Sequence, residues 1–286
     1  MPVTAVARPT GIPVRRPDVD LAQAGSDGDW LVPGDPIFSQ ILAALSAVFP
    51  NGEDFFVDSV RNYRDLVDHD PDLKARVKGF IGQESMHGRE HRILNERLDA
   101  LGYPTAAYDA RLLRRANWLR RRVPKPVQLS VTAASEHFTS VLAHAVLSDE
   151  QTRRTLFPSP EFELLITWHA LEELEHKDVA FDVLQRVSPS YAVRLLGIAF
   201  AAIGWGPAFV RPALRSARQD RKHLTRAARK QFRRHYRSQR MLGHMTIPAL
   251  AMYLRPGFHP RDIDSDTLVL EWRERLGPQM RVGTTA

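Results

Sequence analysis

The sequence predicts an all-α fold, a bundle of four long helices with further helices on its C-terminal side. Three observations carry that reading. Strand signals are nearly absent: no run alternates Val, Ile, Thr and aromatic residues, and Asn51-Gly52 leads into a helical pattern instead of joining two strands. Helix-starting and helix-breaking residues divide the chain into long segments with helical periodicity. Glu and His then recur on those segments in a regular order.

Residues 1–29 place Arg8, Arg15 and Arg16 among prolines with no apolar stretch. This reads as a flexible lead-in and not as a secretory signal, so a cytoplasmic chain is expected. A single helical domain is expected over 30–286. Asp35 and Pro36 look like an N-cap and first-turn pair opening a segment to about Val48. Pro50 should break it, and Asn51 should cap a first bundle helix over about 51–68. Asp70-Pro71 opens a second, about 71–101, which stops at Gly102. Arg111 to Lys125 is a basic, proline-bounded stretch with seven positive charges and no acid. The third bundle helix, about 126–148, is small and apolar, as a tightly packed central helix should be. Ser159-Pro160 opens the fourth, about 160–187, ended by Ser188-Pro189. Apolar and Arg-rich helices are expected over 190–245.

Composition narrows the chemistry. The 286 residues include no Cys, which excludes disulfides, thiolate zinc sites, iron–sulfur clusters and cysteine nucleophiles together. Any metal must be held by His, Asp and Glu, a set that suits iron, manganese or zinc. The net charge of +7 is local: residues 211–240 hold 12 basic side chains against Asp220 alone, or +11, so the rest of the chain sums to −4. Nucleic-acid binding is therefore not expected from the overall basicity. Residues 195–210 are sixteen in a row without charge, short of the roughly 20 that a spanning helix needs. They read first as a buried core helix. The second reading is an interfacial segment, in which 195–240 makes peripheral contact with the inner face of a membrane through its arginines.

Two Glu-x-x-His pairs stand out, Glu84-Ser-Met-His87 and Glu173-Leu-Glu-His176. Residues three apart on a helix share a face, so each pair aims a carboxylate and an imidazole at one point. With 13 Glu and 11 His in 286 positions, chance supplies about half of one such pair. Glu53 lies 31 residues before Glu84, and Glu136 lies 37 before Glu173, each on the preceding helix. Glu, Glu-x-x-His, Glu, Glu-x-x-His on four successive helices is the order of a ferritin-like bundle with a di-metal carboxylate core. Glu136 is flanked by apolar turns, where an uncompensated carboxylate is costly. Glu172, Glu173 and Glu175 crowd one turn beside His169 and His176, and divalent ions would turn that repulsion into binding. His169 shares the stripe of Glu173 and His176 and is a candidate third imidazole. His91, four residues past His87, either ligates or orients a ligand. Glu172 is expected as an acceptor behind the ligands, with Asp178 and Asp182 as candidates for holding the free nitrogen of a ligating His. The expected cofactor is two divalent ions, iron first, with manganese or zinc as alternatives.

At these residues the chain resembles a known family, the predicted metal-dependent hydrolases of bacteria. The matching segments are Phe49-Pro-Asn-Gly-Glu53-Asp-Phe-Phe, Gln83-Glu84-Ser-Met-His87-Gly-Arg-Glu90-His91 and Trp168-His169-Ala-Leu-Glu172-Glu173-Leu-Glu-His176-Lys-Asp-Val-Ala-Phe-Asp182, and the resemblance runs from about residue 30 to 275. The spacing His169-x-x-x-Glu173-x-x-His176 is also similar to the ligand helix of di-iron arylamine N-oxygenases. That similarity implies a His-rich di-iron site that activates O2 toward an organic substrate.

Three functions follow from these residues. The first is O2-dependent oxidation or oxygenation of a hydrophobic small molecule. The second is metal-dependent hydrolysis of an ester, amide or phosphoryl bond. The third is a non-enzymatic protein in which metal is structural and the Arg-rich helix recruits a partner. A homodimer is a further expected arrangement. No Gly-x-Gly-x-x-Gly, Walker-type or Gly-x-Ser-x-Gly motif is present, so nucleotide-binding and serine-hydrolase routes lack support.

Overall fold

In a computed structural model, the described residues are 11–24, 30–157, 159–203, 214, 225–238 and 246–282. They are overwhelmingly helical, as expected, and the strands among them are β1 (Arg15–Pro17) and β2 (Met280–Val282), paired antiparallel. Eight helices lead up to the C-terminal region: α1 (Pro36–Arg61), α2 (Arg64–Val67), α3 (Pro71–Ala100), α4 (Thr105–Arg122), α5 (Lys125–Ser148), α6 (Glu150–Leu156), α7 (Pro160–His176) and α8 (Val179–Val187). After them come helical residues 191–203 and the helices Arg226–Ser238, Thr246–Met252 and Asp266–Leu276. Of the expected apolar and Arg-rich region, residues 204–213, 215–224 and 239–245 lie outside the described residues.

The long helices start where side chains can take up the free N–H groups of a first turn. Asp35 accepts from the Phe38 N–H at 3.0 Å, with Pro36 next in the chain. Asp70 does the same for Leu73 at 3.0 Å, followed by Pro71. Beyond the end of α3, Gly102 takes a φ of +91°, a conformation that costs glycine little.

Four expectations need correction. Pro50 does not break the first helix: α1 runs through it, merging the segments expected over 35–48 and 51–68. Proline cannot donate to the Ser46 carbonyl one turn back, but Asn95 Nδ2 donates to that oxygen at 3.2 Å and supplies the missing bond. The basic stretch is itself helical, as α4. The fourth expected helix is two helices, α7 and α8, joined by a turn at Lys177–Asp178. Tertiary bonds hold that turn: Lys177 Nζ donates to the Ile263 carbonyl at 2.5 Å and to Ser265 Oγ at 3.0 Å. Finally, 11–24 is not a loose lead-in. Leu21 is buried in the core, β1 pairs with β2, and Ile12 and Val14 lie so close to Gly79 and Gly82 of α3 that a side-chain carbon there would meet them at 2.5 and 2.4 Å.

α1 packs mainly on α3 and α4, and α5 on α7 and α8. Two apolar clusters form. One joins Phe38 and Leu42 of α1, Leu94 and Leu98 of α3, and Trp168 and Leu171 of α7. The other joins Phe55 and Val60 of α1, Phe80 of α3, Leu129 of α5, and Val179 and Phe181 of α8. On α3 the polar residues Glu84, His87 and His91 fall between Phe80 and Leu94, and on α5 Glu136 falls between Ala134 and Ala143. The helices thus carry a polar layer across the middle of an apolar bundle. Among the described residues, no helix is long and apolar enough to cross a membrane.

Candidate metal centre

That layer gathers Glu53 from α1, Glu84 and His87 from α3, Glu136 from α5, and His169, Glu173 and His176 from α7, each at most 4% exposed. Three overlapping groups form, Glu53/His87/His169, Glu84/His87/Glu173 and Glu84/Glu136/His176, with one ligand-type atom per residue and all such atoms of a group within 4.8 Å of one another. The carboxylates of Glu84 and Glu173 each reach both ends. Glu84 Oε1 is 3.0 Å from His176 Nε2, while its Oε2 is 3.9 Å from His87 Nδ1. Glu173 Oε1 is 2.9 Å from His169 Nε2, and its Oε2 is 3.6 Å from His176 Nε2. Glu53 and Glu136 close the two ends, at 3.7 Å from His169 Nε2 and 3.2 Å from His176 Nε2. This arrangement fits a di-metal helical site.

A cation fits this set because its absence leaves polar atoms stranded. Both carboxylate oxygens of Glu53, Glu84 and Glu136, together with His87 Nδ1 and His176 Nε2, are buried and make no well-directed hydrogen bond. Buried polar atoms are nearly always paired, so eight such atoms converging on one point call for a ligand that accepts lone pairs. The electrostatics agree. Burial, then repulsion from Glu84, pushes the Glu53 and Glu136 carboxyls well above the usual range. Burial raises Glu84 as well, against the pull of the neighbouring His176 imidazole. Burial also works against an ionised Glu173, but the close approach of the His169 and His176 imidazoles prevails and holds it well below the usual range.

Each imidazole is steered by a partner behind it. His87 Nε2 donates to Glu172 Oε2 at 3.0 Å, which leaves the Nδ1 lone pair facing Glu84 and Glu173. Gln83 is oriented by donating to the Pro13 carbonyl and to Glu175 Oε2, both at 2.9 Å, so its Oε1 accepts from His176 Nδ1–H at 2.9 Å. The His176 Nε2 lone pair then points inward. Ser46 Oγ donates to Asn95 Oδ1 at 2.7 Å and accepts from His91 Nδ1–H at 2.9 Å. His91 Nε2 in turn accepts from His169 Nδ1–H at 2.9 Å, which leaves the third inward lone pair on His169 Nε2.

Among residues expected from the sequence, Glu53, Glu84, His87, Glu136, His169, Glu173 and His176 are brought together. His91 joins none of the three groups; it orients His169. Glu172 lies behind His87, and the side chains of Glu172 and Glu175 are both buried. Asp178 and Asp182 are corrected. Asp178 pairs with Arg76 and Arg261, and Asp182 with Arg76 and His259, because the turn at Lys177–Asp178 swings both off the ligand stripe. Sequence reasoning missed Gln83, Ser46, Asn95 and Arg15, whose guanidinium donates to Glu175 at 2.8 Å and to Glu172 at 3.3 Å. No spacing rule marks them, since each meets its partner on another element only in the fold.

Over residues 13–264 the chain matches the model of one protein family, described as predicted metal-dependent hydrolase. It belongs to that family. No curated protein and no solved structure matches the chain. The metal-dependent hydrolase family assignment and the stranded donor set agree on metal dependence.

Beside the centre of this metal-dependent hydrolase homologue lies a cavity of about 410 Å³. Val48, Phe49, Phe56, Phe138, Leu142 and Ile198 supply its apolar wall, and Glu53, His169 and Glu173 stand at its metal-facing side. Phe49 packs against both His91 and His169, with ring centroids 4.5 and 4.4 Å apart. Thr139 Oγ1, also on the wall, donates to Glu173 Oε2 at 2.5 Å.

His137 faces the cavity too but is anchored elsewhere, its Nε2 donating to the Ala249 carbonyl at 3.1 Å. Burial lowers its pKa from 6.5 to about 4, against the upward pull of that hydrogen bond. Below pH 6.5 the unfolded chain thus takes up a proton that the folded chain refuses. Stability from this group is intact above pH 6.5 and drains as pH falls toward 4, by about 3 kcal/mol in all. Urea unfolding of His137→Gln should show a shallower loss over that window than the wild type. Equal slopes would remove His137 as a cause.

Proposed function

We propose that this metal-dependent enzyme holds two divalent cations, iron first, in a ferritin-like arrangement of its helices, and that it carries out O2-dependent oxidation of an apolar small molecule. The observation that carries this reading is the cavity, whose wall is apolar up to Glu53, His169 and Glu173. When bound, such ions supply either a redox couple for O2 or Lewis acidity toward a bound water. The chain's own residues favour the first. Among the described residues no Arg or Lys lines the cavity to neutralise the anion that ester or phosphoryl hydrolysis develops, whereas an apolar wall admits O2 and a hydrocarbon substrate equally. Glu53, Glu84, Glu136 and Glu173 would balance the charge of two cations, with His87, His169 and His176 as the imidazoles that would help to hold them. Thr139 holds Glu173 in place where the cavity meets the centre. Phe49 covers His91 and His169 and keeps water from them.

Hydrolysis is the second reading, favoured by the family's description. One preparation separates the two. Protein loaded anaerobically with Fe(II) should bind about two irons per chain and consume O2 when air is admitted, with a transient near-ultraviolet or visible absorbance. No iron-dependent O2 consumption, with ester turnover by the zinc or manganese form in the absence of O2, would establish hydrolysis instead.

A further inference from the structure

The helix over 191–203 inverts the usual rule for a surface helix. Its solvent-facing stripe is Ala192, Leu196, Ala199 and Ile203, with Leu196 49% and Ile203 73% exposed. Its one charged residue, Arg194, is buried, donating to the carbonyls of Arg255 and Phe258. Glycine at 197 lets the helix lie directly on α5, where a side-chain carbon would meet Ser130 Oγ at 2.1 Å. From its inner side Ile198 and Ala201 line the cavity. This helix therefore separates the apolar cavity from an apolar outer surface.

A second element adjoins it. Trp118 on α4 is 51% exposed and contacts Phe200, with ring centroids 6.5 Å apart. Arg114, Arg115, Arg121 and Arg122 stand one helical turn to either side of it, all exposed. The only acid in α4, Asp109, is partly buried and accepts from Asn51 at 2.5 Å. An amphipathic indole ringed by cations, next to an apolar stripe, has the chemistry of a bilayer interface: arginines reach phosphates while the indole and aliphatic groups enter the acyl boundary.

We propose that α4 and the outer face of 191–203 dock on an anionic lipid bilayer, which places the helix that walls the cavity against the phase in which an apolar ligand dissolves. The area of exposed apolar side chains, joined to a mainly cationic rim in which the exposed Asp58 is paired with Arg120, favours this over an acidic protein surface, which would match the arginines but leave Leu196 and Ile203 unanswered. The proposal does not depend on the redox reading, because lipid binding is measured without metal or turnover.

The test is cosedimentation of the full chain with vesicles of mixed phosphatidylglycerol and phosphatidylcholine, and of phosphatidylcholine alone. The wild type should bind the anionic vesicles and be released by raised salt. Replacing Arg121 and Arg122 together by Ala should weaken binding roughly 30-fold, at the usual strength of one basic residue near such a surface. Trp118→Ala should weaken it several-fold, and all three residues are exposed enough for the variants to fold. Equal binding to neutral vesicles, no binding to either, or unchanged binding by the double variant overturns the proposal. A lipid-free dimer that Trp118→Ala converts to a monomer would assign the face to a second copy of the chain and overturn it as well.

Discussion

Glu84→Gln will bind divalent metal about 100-fold more weakly than the wild type, or worse, the loss that separates a shared carboxylate from residues that only support ligands. Glu84 belongs to two of the three ligand groups and sends one oxygen to each end, 3.0 Å from His176 and 3.9 Å from His87. Gln keeps the volume, so the packing around it is undisturbed, but it removes one charge and turns one inward oxygen into an amide that repels a cation. Metal stabilises the folded chain in proportion to the logarithm of its excess over Kd. At about 1,000-fold excess the wild type gains about 4 kcal/mol, and a 100-fold weaker variant under the same conditions gains about 1.4 kcal/mol. Thermal melts with and without metal, beside metal analysis of dialysed protein, check both figures. A variant that keeps the metal content and the metal-induced stabilisation of the wild type would contradict the role given to this residue.

Trp168→Ala will destabilise the chain by about 3–5 kcal/mol, the usual cost of deleting a large aromatic from a packed interior. Trp168 is 0% exposed, and its ring meets the edge of His87 with centroids 4.8 Å apart. The void would also free the His87 ring to tilt, so metal affinity should fall roughly 10- to 100-fold even in the folded fraction. Trp168→Phe should behave differently. The indole N–H has no protein acceptor in its buried position. Removing it offsets part of the lost volume, so this variant should lose less than about 2 kcal/mol. Urea unfolding of the two variants, followed by metal titration, separates the packing effect from the positioning effect. An Ala variant as stable as the Phe variant would count against tight packing at this position.

The candidate ligands were legible in the sequence because a helix converts spacing into direction. Glu-x-x-His at 84 and 87 and at 173 and 176, with His169 four residues before Glu173, can point only to one face each, whatever the rest of the chain does. The caps at Asp35, Asp70 and Ser159 were legible for the same local reason, since a capping side chain serves the N–H groups two or three residues on. Pro50 was misread because its rescue is not local: the bond that replaces its missing N–H comes from Asn95, forty-five residues away in the chain.

The sequence alone therefore determined the helical class and the seven candidate ligands, five of them by spacings of three and four along a helix and Glu53 and Glu136 by their order on the preceding helices. Tertiary structure decided what stands behind those residues. Glu172 as an acceptor and His91 as an orienting residue were among the expectations, but Gln83 behind His176, Ser46 behind His91, and the Arg15 clamp on Glu172 and Glu175 required distant segments to meet. It also decided that Asp178 and Asp182 turn away and that residues 11–24 belong to the body. It placed an apolar cavity beside Glu53, His169 and Glu173. Directions along one helix follow from its own geometry, while contacts between helices depend on how their apolar faces are buried against each other, and no single segment encodes that.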